Sequence, residues 1–415
     1  MLKRYGRTLI LVTIVALLAA RLVTDRDARS FFSLDYWQNV ARYAQVMRLA
    51  HAVHVDPDGH SFTAFTDAAL QAGLRSLDQY SEYFNAQDFV TFEQSSRRQY
   101  VGIGIQVQLI SERIFVTNVF ANGPAEAEGL LPGDAIIAVG GAAVEGLDLQ
   151  TVVGKIRGPE GTQVELTIER LGLEEAMLVS INRTSITLRS VDEVRMKMPT
   201  IGYLRISQFT AAVASELDYA LVELLEMGME SLIIDLRDNP GGVLEASIAV
   251  ASRFLQPNSV VLSVEERSGR NQDYRTHSSE IRFDGPIAVL VNRNSASAAE
   301  IIAGALRDHS RAKVFGEATF GKASVQGVFS FRRGDGLRVT TARYRLPGGE
   351  LINGTGVEPT HPLVTEPGAA AAAFLQTTHL RFMDAESFEA HFGFSPQSDA
   401  VLDAALEEIL RRYKN

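Results

Sequence analysis

Between residues 186 and 365 short apolar runs alternate with stretches of helical spacing, and this alternation restricts the fold more than any other feature of the chain. "IGYLRIS" is followed by a helical stretch at about 211–227, "SLIIDL" by one at about 243–254, and "IAVLVN" by one that opens within "NRNSASAAEIIAGAL". Apolar runs this short, without polar alternation, read as strands buried on both faces. Strands of that kind joined through helices form βαβ units, so a largely parallel sheet is expected here. The runs "AKVFG" and "LRVTTARYRL" are expected to extend it.

The rest of the chain has a different texture. At 415 residues and 46% hydrophobic content the chain exceeds what one core covers, and an α/β and α+β multidomain protein is expected. Residues 98–185 read as short strands and glycine turns with two helices, a compact α+β module. Residues 30–97 read as a helical region, with segments near 35–54 and 64–77 broken by Asp56-Pro57-Asp58-Gly59. Residues 186–365 form the α/β core, and 366–415 a helical region ending in the amphipathic "DAVLDAALEEILRRYKN", which suits docking on the body or on a second subunit. The net charge of -10 comes from acidic residues spread along the chain, which excludes nucleic acid as the main partner.

Residues 1–29 begin with Lys3, Arg4 and Arg7 and continue with an uncharged stretch from Thr8 to Ala20. Such a stretch fits the apolar region of a secretory signal, whereas a bilayer span needs about 20 residues. Leu17 and Leu18 make a poor cleavage pattern, so a cleaved signal and a retained short anchor both fit. The expected location is therefore outside the cytoplasm, in a bacterial periplasm or on the outer face of the inner membrane. The chain has no cysteine, which excludes disulfides and thiol catalysis.

Two motifs point to chemistry that their surroundings do not support. His51, His54 and His60 cluster with two aspartates, but no HExxH glutamate accompanies them and the acids sit in a turn, so no metal site is expected. "GEATFGKA", residues 316–323, has the GxxxxGK spacing of a phosphate loop. Ala323 stands where the magnesium-binding hydroxyl belongs, and "SVQGVFSF" after it reads as strand, so the helix dipole is missing too. No cofactor is implied. Lys322 then lies in largely apolar surroundings, where desolvation would lower its pKa and let it accept a proton from a hydroxyl.

The hydroxyl is supplied by "SASAAEIIAGALRD", at a junction from buried strand to helix. Ser297 and Glu300 have the capping-box spacing, so Ser297 can cap the helix, and the position also suits catalysis, since α/β sheets place their sites at strand ends. A third stretch, "LIIDLRDNPGGVLEAS", turns through Asp238-Asn239-Pro240-Gly241-Gly242 before a helix and can aim backbone N–H groups at an oxyanion.

Residues 98–185 resemble a PDZ domain. "YVGIGIQVQLI", "NGPAEAEGLLPGDAIIAVGG" and "DLQTVVGKIRG" carry the resemblance. It implies that the Gly102-Ile103-Gly104-Ile105 loop receives a peptide's terminal carboxylate. Over about residues 75–360 the chain resembles the carboxyl-terminal processing peptidases, tail-specific serine proteases, through "LDQYSEYF", "GYLRISQF", "LRDNPGG", "SASAAEIIAGALRD", "GEATFGKASVQ" and "VTTARYRLPGG" in order. The resemblance implies Ser297 as nucleophile, Lys322 as general base and Gln326 as the residue that orients the lysine. It implies an oxyanion hole of backbone N–H groups from Ala298 and from Gly241 or Gly242, and a supporting role for Asp308. Substrates are expected to be exported proteins with free, apolar C-termini, with an activating or adaptor protein and a homo-oligomer through the terminal helices as further expected partners. Ala299 departs from a SASAS pattern, and Gln79 from LDPYS in a segment expected to lie away from the site. The alternative is a catalytically inactive scaffold that binds tails through its PDZ domain without cutting them.

Overall fold

The structure is a computed structural model and describes residues 33–413 apart from 57–60, 97–98, 111, 121–122, 171, 174, 278–282, 365–375, 377–382, 393–394 and 396–397. The 1–29 segment and the alanine run after residue 367 therefore lie outside the described residues, as does His60. Among the described residues no helix is long and apolar enough to cross a membrane.

The expected parallel sheet is present, six strands wide. Its order is Val191–Met198, Ile201–Ile206, Ser231–Asp235, Ile287–Val291, Ala312–Gly316 and His361–Pro362. Only the first pair is antiparallel. Every residue of Ser231–Asp235 and Ile287–Val291 is buried, which is why their sequences carry no alternation. Helices Val213–Glu226, Leu244–Ala251 and Ala298–Asp308 bury Leu217, Leu221, Ile248, Ile301 and Ile302 in the core cluster that holds Leu232, Ile234 and Val289. Ile233, Ala288, Leu290 and Phe315 belong to a second cluster with Val401, Leu402, Ala405 and Ile409 of the terminal helix Ala400–Tyr413. That helix therefore docks on its own body. Its capping residue Asp399 accepts from Leu402 N and from the half-buried Arg237, which also binds Asp235.

"LRVTTARYRL" does not extend the parallel sheet. The strand Gly336–Arg345 lies in a separate antiparallel sheet, paired with Ser324–Ser330, Val260–Glu266 and Glu82–Phe84. Its burial is partial along most of its length, and both of its long partners are antiparallel neighbours reached by hairpin or return connections, not βαβ crossovers. The hairpin Val260–Glu266 with Asn271–Arg275, and Val191–Met198, are strands that the apolar-run criterion does not find, because they alternate or carry charge.

The α+β module is a five-strand meander, Ile105–Ile110, Arg113–Val119, Ala135–Val139, Gln163–Glu169 and Met177–Asn182, with Ala142–Ala143 at its side. Helix Leu149–Ile156 closes its core through Val152 and Ile156. The chain enters and leaves this module through one two-stranded ribbon, Gln99–Gly102 against Thr184–Thr187. Before it, helices Leu34–Val53 and Phe62–Arg75 bury no residue, so Trp37, Leu49 and Val53 remain exposed.

Candidate active site

Three adjacent parallel strands end side by side, and each delivers one of the stretches singled out in the sequence. Ser231–Asp235 leads to the 236–243 turn, Ile287–Val291 to the 292–297 loop, and Ala312–Gly316 to the 317–323 loop. The carboxyl ends of adjacent strands in an open α/β sheet form a crevice, so a site here follows from topology.

The two serines separate cleanly. Ser295 is fully buried; its Oγ donates to Leu236 O at 2.8 Å and accepts from Asn292 N at 3.0 Å, so its hydroxyl ties two loops together. Ser297 is half-buried and stands at the N-cap of Ala298–Asp308 with φ 55° and ψ −113°. Its backbone N–H donates to Glu300 Oε2 at 2.7 Å, the reciprocal half of a capping box.

Glu300 does more than the spacing implies. It is fully buried, and its Oε1 accepts from Thr319 Oγ1 at 2.5 Å and Gly321 N at 2.7 Å, while Oε2 accepts from Lys322 N at 2.9 Å as well as from Ser297. The phosphate-loop spacing thus has a local explanation: the N–H groups of Gly321 and Lys322 cradle a carboxylate of the protein itself. From the opposite side, the buried Tyr344 hydroxyl lies 2.7 Å from Lys322 O and 3.3 Å from Ser297 O. Burial holds its phenol proton on. Glu300 and Tyr344 therefore fix the backbones of residues 297 and 322 to one another. Tyr344 has no local sequence signal, since the contact arises from strand pairing alone.

The Pro-Gly-Gly turn abuts the serine. A Cβ on Gly241 would lie 2.7 Å from Ser297 Cβ and 2.9 Å from Ala298 N, at φ +94°. Asn239, fully buried, shapes the turn: its Oδ1 accepts from Gly241 N at 2.8 Å, and its backbone oxygen accepts from Ala296 N at 2.9 Å. With the Gly241 N–H so engaged, Gly242 is the turn's other candidate donor beside Ala298.

Lys322 is half-buried, and burial, followed by the charge of Arg338, pushes its pKa below the usual lysine value against the opposing pull of Glu300 and Asp78. Its Nζ lies 4.7 Å from the centroid of the Tyr80 ring. In this arrangement the ammonium is on that ring, with no hydrogen bond to Ser297 or Gln326 among the described residues; Gln326 Nε2 donates to Ser324 Oγ at 2.8 Å and reaches Thr340 Oγ1 at 3.5 Å. The "LDQYSEYF" segment, expected away from the site, thus reaches it, although Gln79 itself is exposed. The reason is strand pairing: Glu82–Phe84 runs antiparallel to the start of Gly336–Arg345, with Phe84 opposite Gly336, Tyr83 opposite Leu337 and Glu82 opposite Arg338, and this brings Tyr80 to the lysine. Asp308 lies at the far end of its helix, accepting from Arg307 and from Gly348 N at 2.8 Å, and so anchors the 348 loop.

In the α+β module Ile103 is a core residue, Gly104 has φ +82°, and Ile105–Ile110 is an edge strand with no strand on its outer side among the described residues. An edge strand beside a glycine loop is what strand addition of a peptide requires.

The sheet with its strand-end crevice and the separate module match a serine-type peptidase carrying a PDZ domain. Residues 200–363 match peptidase family S41, and residues 90–169 match the PDZ domain. A carboxy-terminal-processing protease from Bartonella bacilliformis is 32% identical over 350 residues, covering 83% of this chain and 80% of that protein. A carboxyl-terminal-processing protease from Synechocystis is 35% identical over 301 residues, covering 71% and 70%. A CtpA-like serine protease of Staphylococcus haemolyticus is 35% identical over 297 residues, and the chain spans 59% of its length. Among solved structures, a Bacteroides fragilis protein described as an S41 protease aligns with TM-score 0.57 at 16% identity, over 88% of this chain and 97% of that one. The chain belongs to the carboxy-terminal-processing proteases of peptidase family S41.

Proposed function

We propose that the protein cleaves peptide bonds with a Ser297–Lys322 dyad. The observation that carries this reading is the double attachment of the two residues' backbones through Glu300 and Tyr344, which keeps a half-buried serine and a lysine of lowered pKa in one crevice. Neutral Lys322 takes the Ser297 proton as Oγ attacks the carbonyl carbon. The carbonyl oxygen becomes an oxyanion held by the N–H groups of Ala298 and Gly242, the Gly241 N–H being already engaged by Asn239. The lysine then gives its proton to the leaving amine, the C–N bond breaks, and water hydrolyses the acyl-enzyme. Gln326 orients the lysine once it leaves Tyr80, and Asp308 acts only through the fold.

The PDZ domain would capture the substrate's free C-terminus at Gly102-Ile103-Gly104-Ile105, with the tail added to the edge strand Ile105–Ile110. Division of the chain at about 30, 98, 186 and 366 accompanies this reading. Export through residues 1–29 to the periplasm or the membrane's outer face, and control by an adaptor protein, belong to it as well. Self-association is assigned to the N-terminal helices, whose apolar residues are exposed, because the apolar face of Ala400–Tyr413 is already used.

The test incubates the full chain and its Ser297→Ala and Lys322→Ala forms with an unfolded substrate bearing a free or an amidated C-terminus. Cleavage is expected only with both residues present and faster with the free terminus. Undiminished cleavage by Ser297→Ala would remove the nucleophile assignment, and equal cleavage of both substrates would remove tail capture.

A further inference from the structure

We infer that Tyr80 is a positioning residue for Lys322, holding the protonated lysine on its ring face and releasing it toward Ser297 when the proton is lost. The inference rests on the dyad reading above and goes beyond it by naming what governs the base.

The geometry comes first. The Lys322 Nζ sits 4.7 Å from the Tyr80 ring centroid, within the distance at which an ammonium is attracted by a ring quadrupole. Tyr80 is itself held firmly. Asp78 Oδ1 accepts from Tyr80 N and Ser81 N, both at 2.8 Å; Ser81 Oγ donates to Asp78 Oδ2 and accepts from Thr340 N; and Tyr80 O accepts from Arg338 Nε at 3.2 Å. A turn bonded this way keeps the ring where the lysine meets it.

The chemistry follows from charge. A ring face attracts an ammonium and has no comparable pull on a neutral amine. The charged groups around the lysine are Arg338, which repels the ammonium, and Glu300 and Asp78, which attract it. Glu300 spends its oxygens on four N–H and O–H donors, and Asp78 on its own turn, so the ring face is the group left to receive the ammonium directly. A protonated Lys322 cannot act as a base, and in that state it is kept on Tyr80. Deprotonation weakens the attachment, and the same side chain becomes free to accept the serine proton.

The experiment compares the wild type with Tyr80→Phe and Tyr80→Leu across pH, reading kcat/KM and, separately, the pH dependence of Lys322 acetylation by competitive labelling and mass spectrometry. Removing the ring face is expected to lower the lysine's pKa, so the acid limb of kcat/KM and the labelling curve of Tyr80→Leu both move down by roughly half to one pH unit. Tyr80→Phe, which keeps the face, is expected to coincide with the wild type. A Tyr80→Leu labelling curve identical to the wild type's, or an equal displacement in Tyr80→Phe, overturns the inference. If Tyr80→Leu fails to fold, trifluorinated phenylalanine at position 80 empties the ring face at constant shape and must give the same downward shift. Failure of the dyad reading is distinguishable: Lys322→Ala would then retain cleavage, whatever the labelling curves do.

Discussion

Replacing Glu300 by glutamine exchanges one carboxylate oxygen for an NH₂ group at nearly constant volume, which makes its consequence calculable. Four donors converge on this side chain, two on each oxygen. The amide is expected to keep its oxygen toward Ser297 N and Lys322 N and turn its nitrogen toward Thr319 and Gly321, because a hydroxyl can reorient and accept whereas a backbone N–H cannot. Gly321 N is then left facing another donor in a buried site. Hydrogen bonds to a charged group contribute about 1.5–3 kcal/mol each, and an orphaned buried donor costs about 1–3 kcal/mol, so the core should lose roughly 3–5 kcal/mol. That is a large share of the roughly 5–15 kcal/mol that stabilises a domain. Urea denaturation followed by far-UV circular dichroism measures it, as a lower midpoint at unchanged slope. Glu300→Ala releases all four donors and should also abolish cleavage, since nothing then fixes the 317–323 loop against the helix start. A Glu300→Gln stability loss, taken from the midpoint shift and the slope, of less than about 1 kcal/mol would refute the reasoning, because a single net hydrogen bond is worth that much.

Three further outcomes are expected. Gly241→Ala should remove activity, since its Cβ would lie 2.7 Å from Ala296 O and Ser297 Cβ at a left-handed φ; steady-state kinetics on the folded variant checks this. Ser295→Ala should lower stability by about 1–3 kcal/mol by orphaning Asn292 N, yet retain measurable cleavage, which contrasts with Ser297→Ala. For pH, the base works only when neutral, so kcat/KM should rise with pH through the Lys322 pKa; because burial and Arg338 depress that pKa, the rise should fall below the ordinary lysine value of 10.5. A profile still climbing through 10.5 would contradict the burial argument.

The particular elements explain how much was legible beforehand. "SLIIDL" and "IAVLVN" announce central parallel strands because both their faces are covered, a local property written in five consecutive residues. "LRVTTARYRL" has an equally strong strand signal, but nothing in it states which sheet it joins; pairing is settled by partners far along the chain, as Ser263 opposite Arg345, 82 residues apart, illustrates. The Ser297–Glu300 spacing was legible as a capping box, and only the third dimension adds Thr319, Gly321 and Lys322 to the same carboxylate.

By itself, then, the order of residues determined that the chain has a βαβ core, an inserted strand-and-glycine module, a serine at a helix start, and a lysine in apolar surroundings. These follow from periodicity, turn chemistry and the needs of individual side chains, which act over a few residues. Only the tertiary structure decided that Ser295 is a structural hydroxyl, that Tyr344 and Glu300 join the two loops, that Tyr80 meets the lysine, and that the last helix covers the second face of the sheet. Those contacts link residues tens to hundreds of positions apart, and the physical reason is that side-chain partners across a sheet are set by register and crossover, which no local pattern encodes.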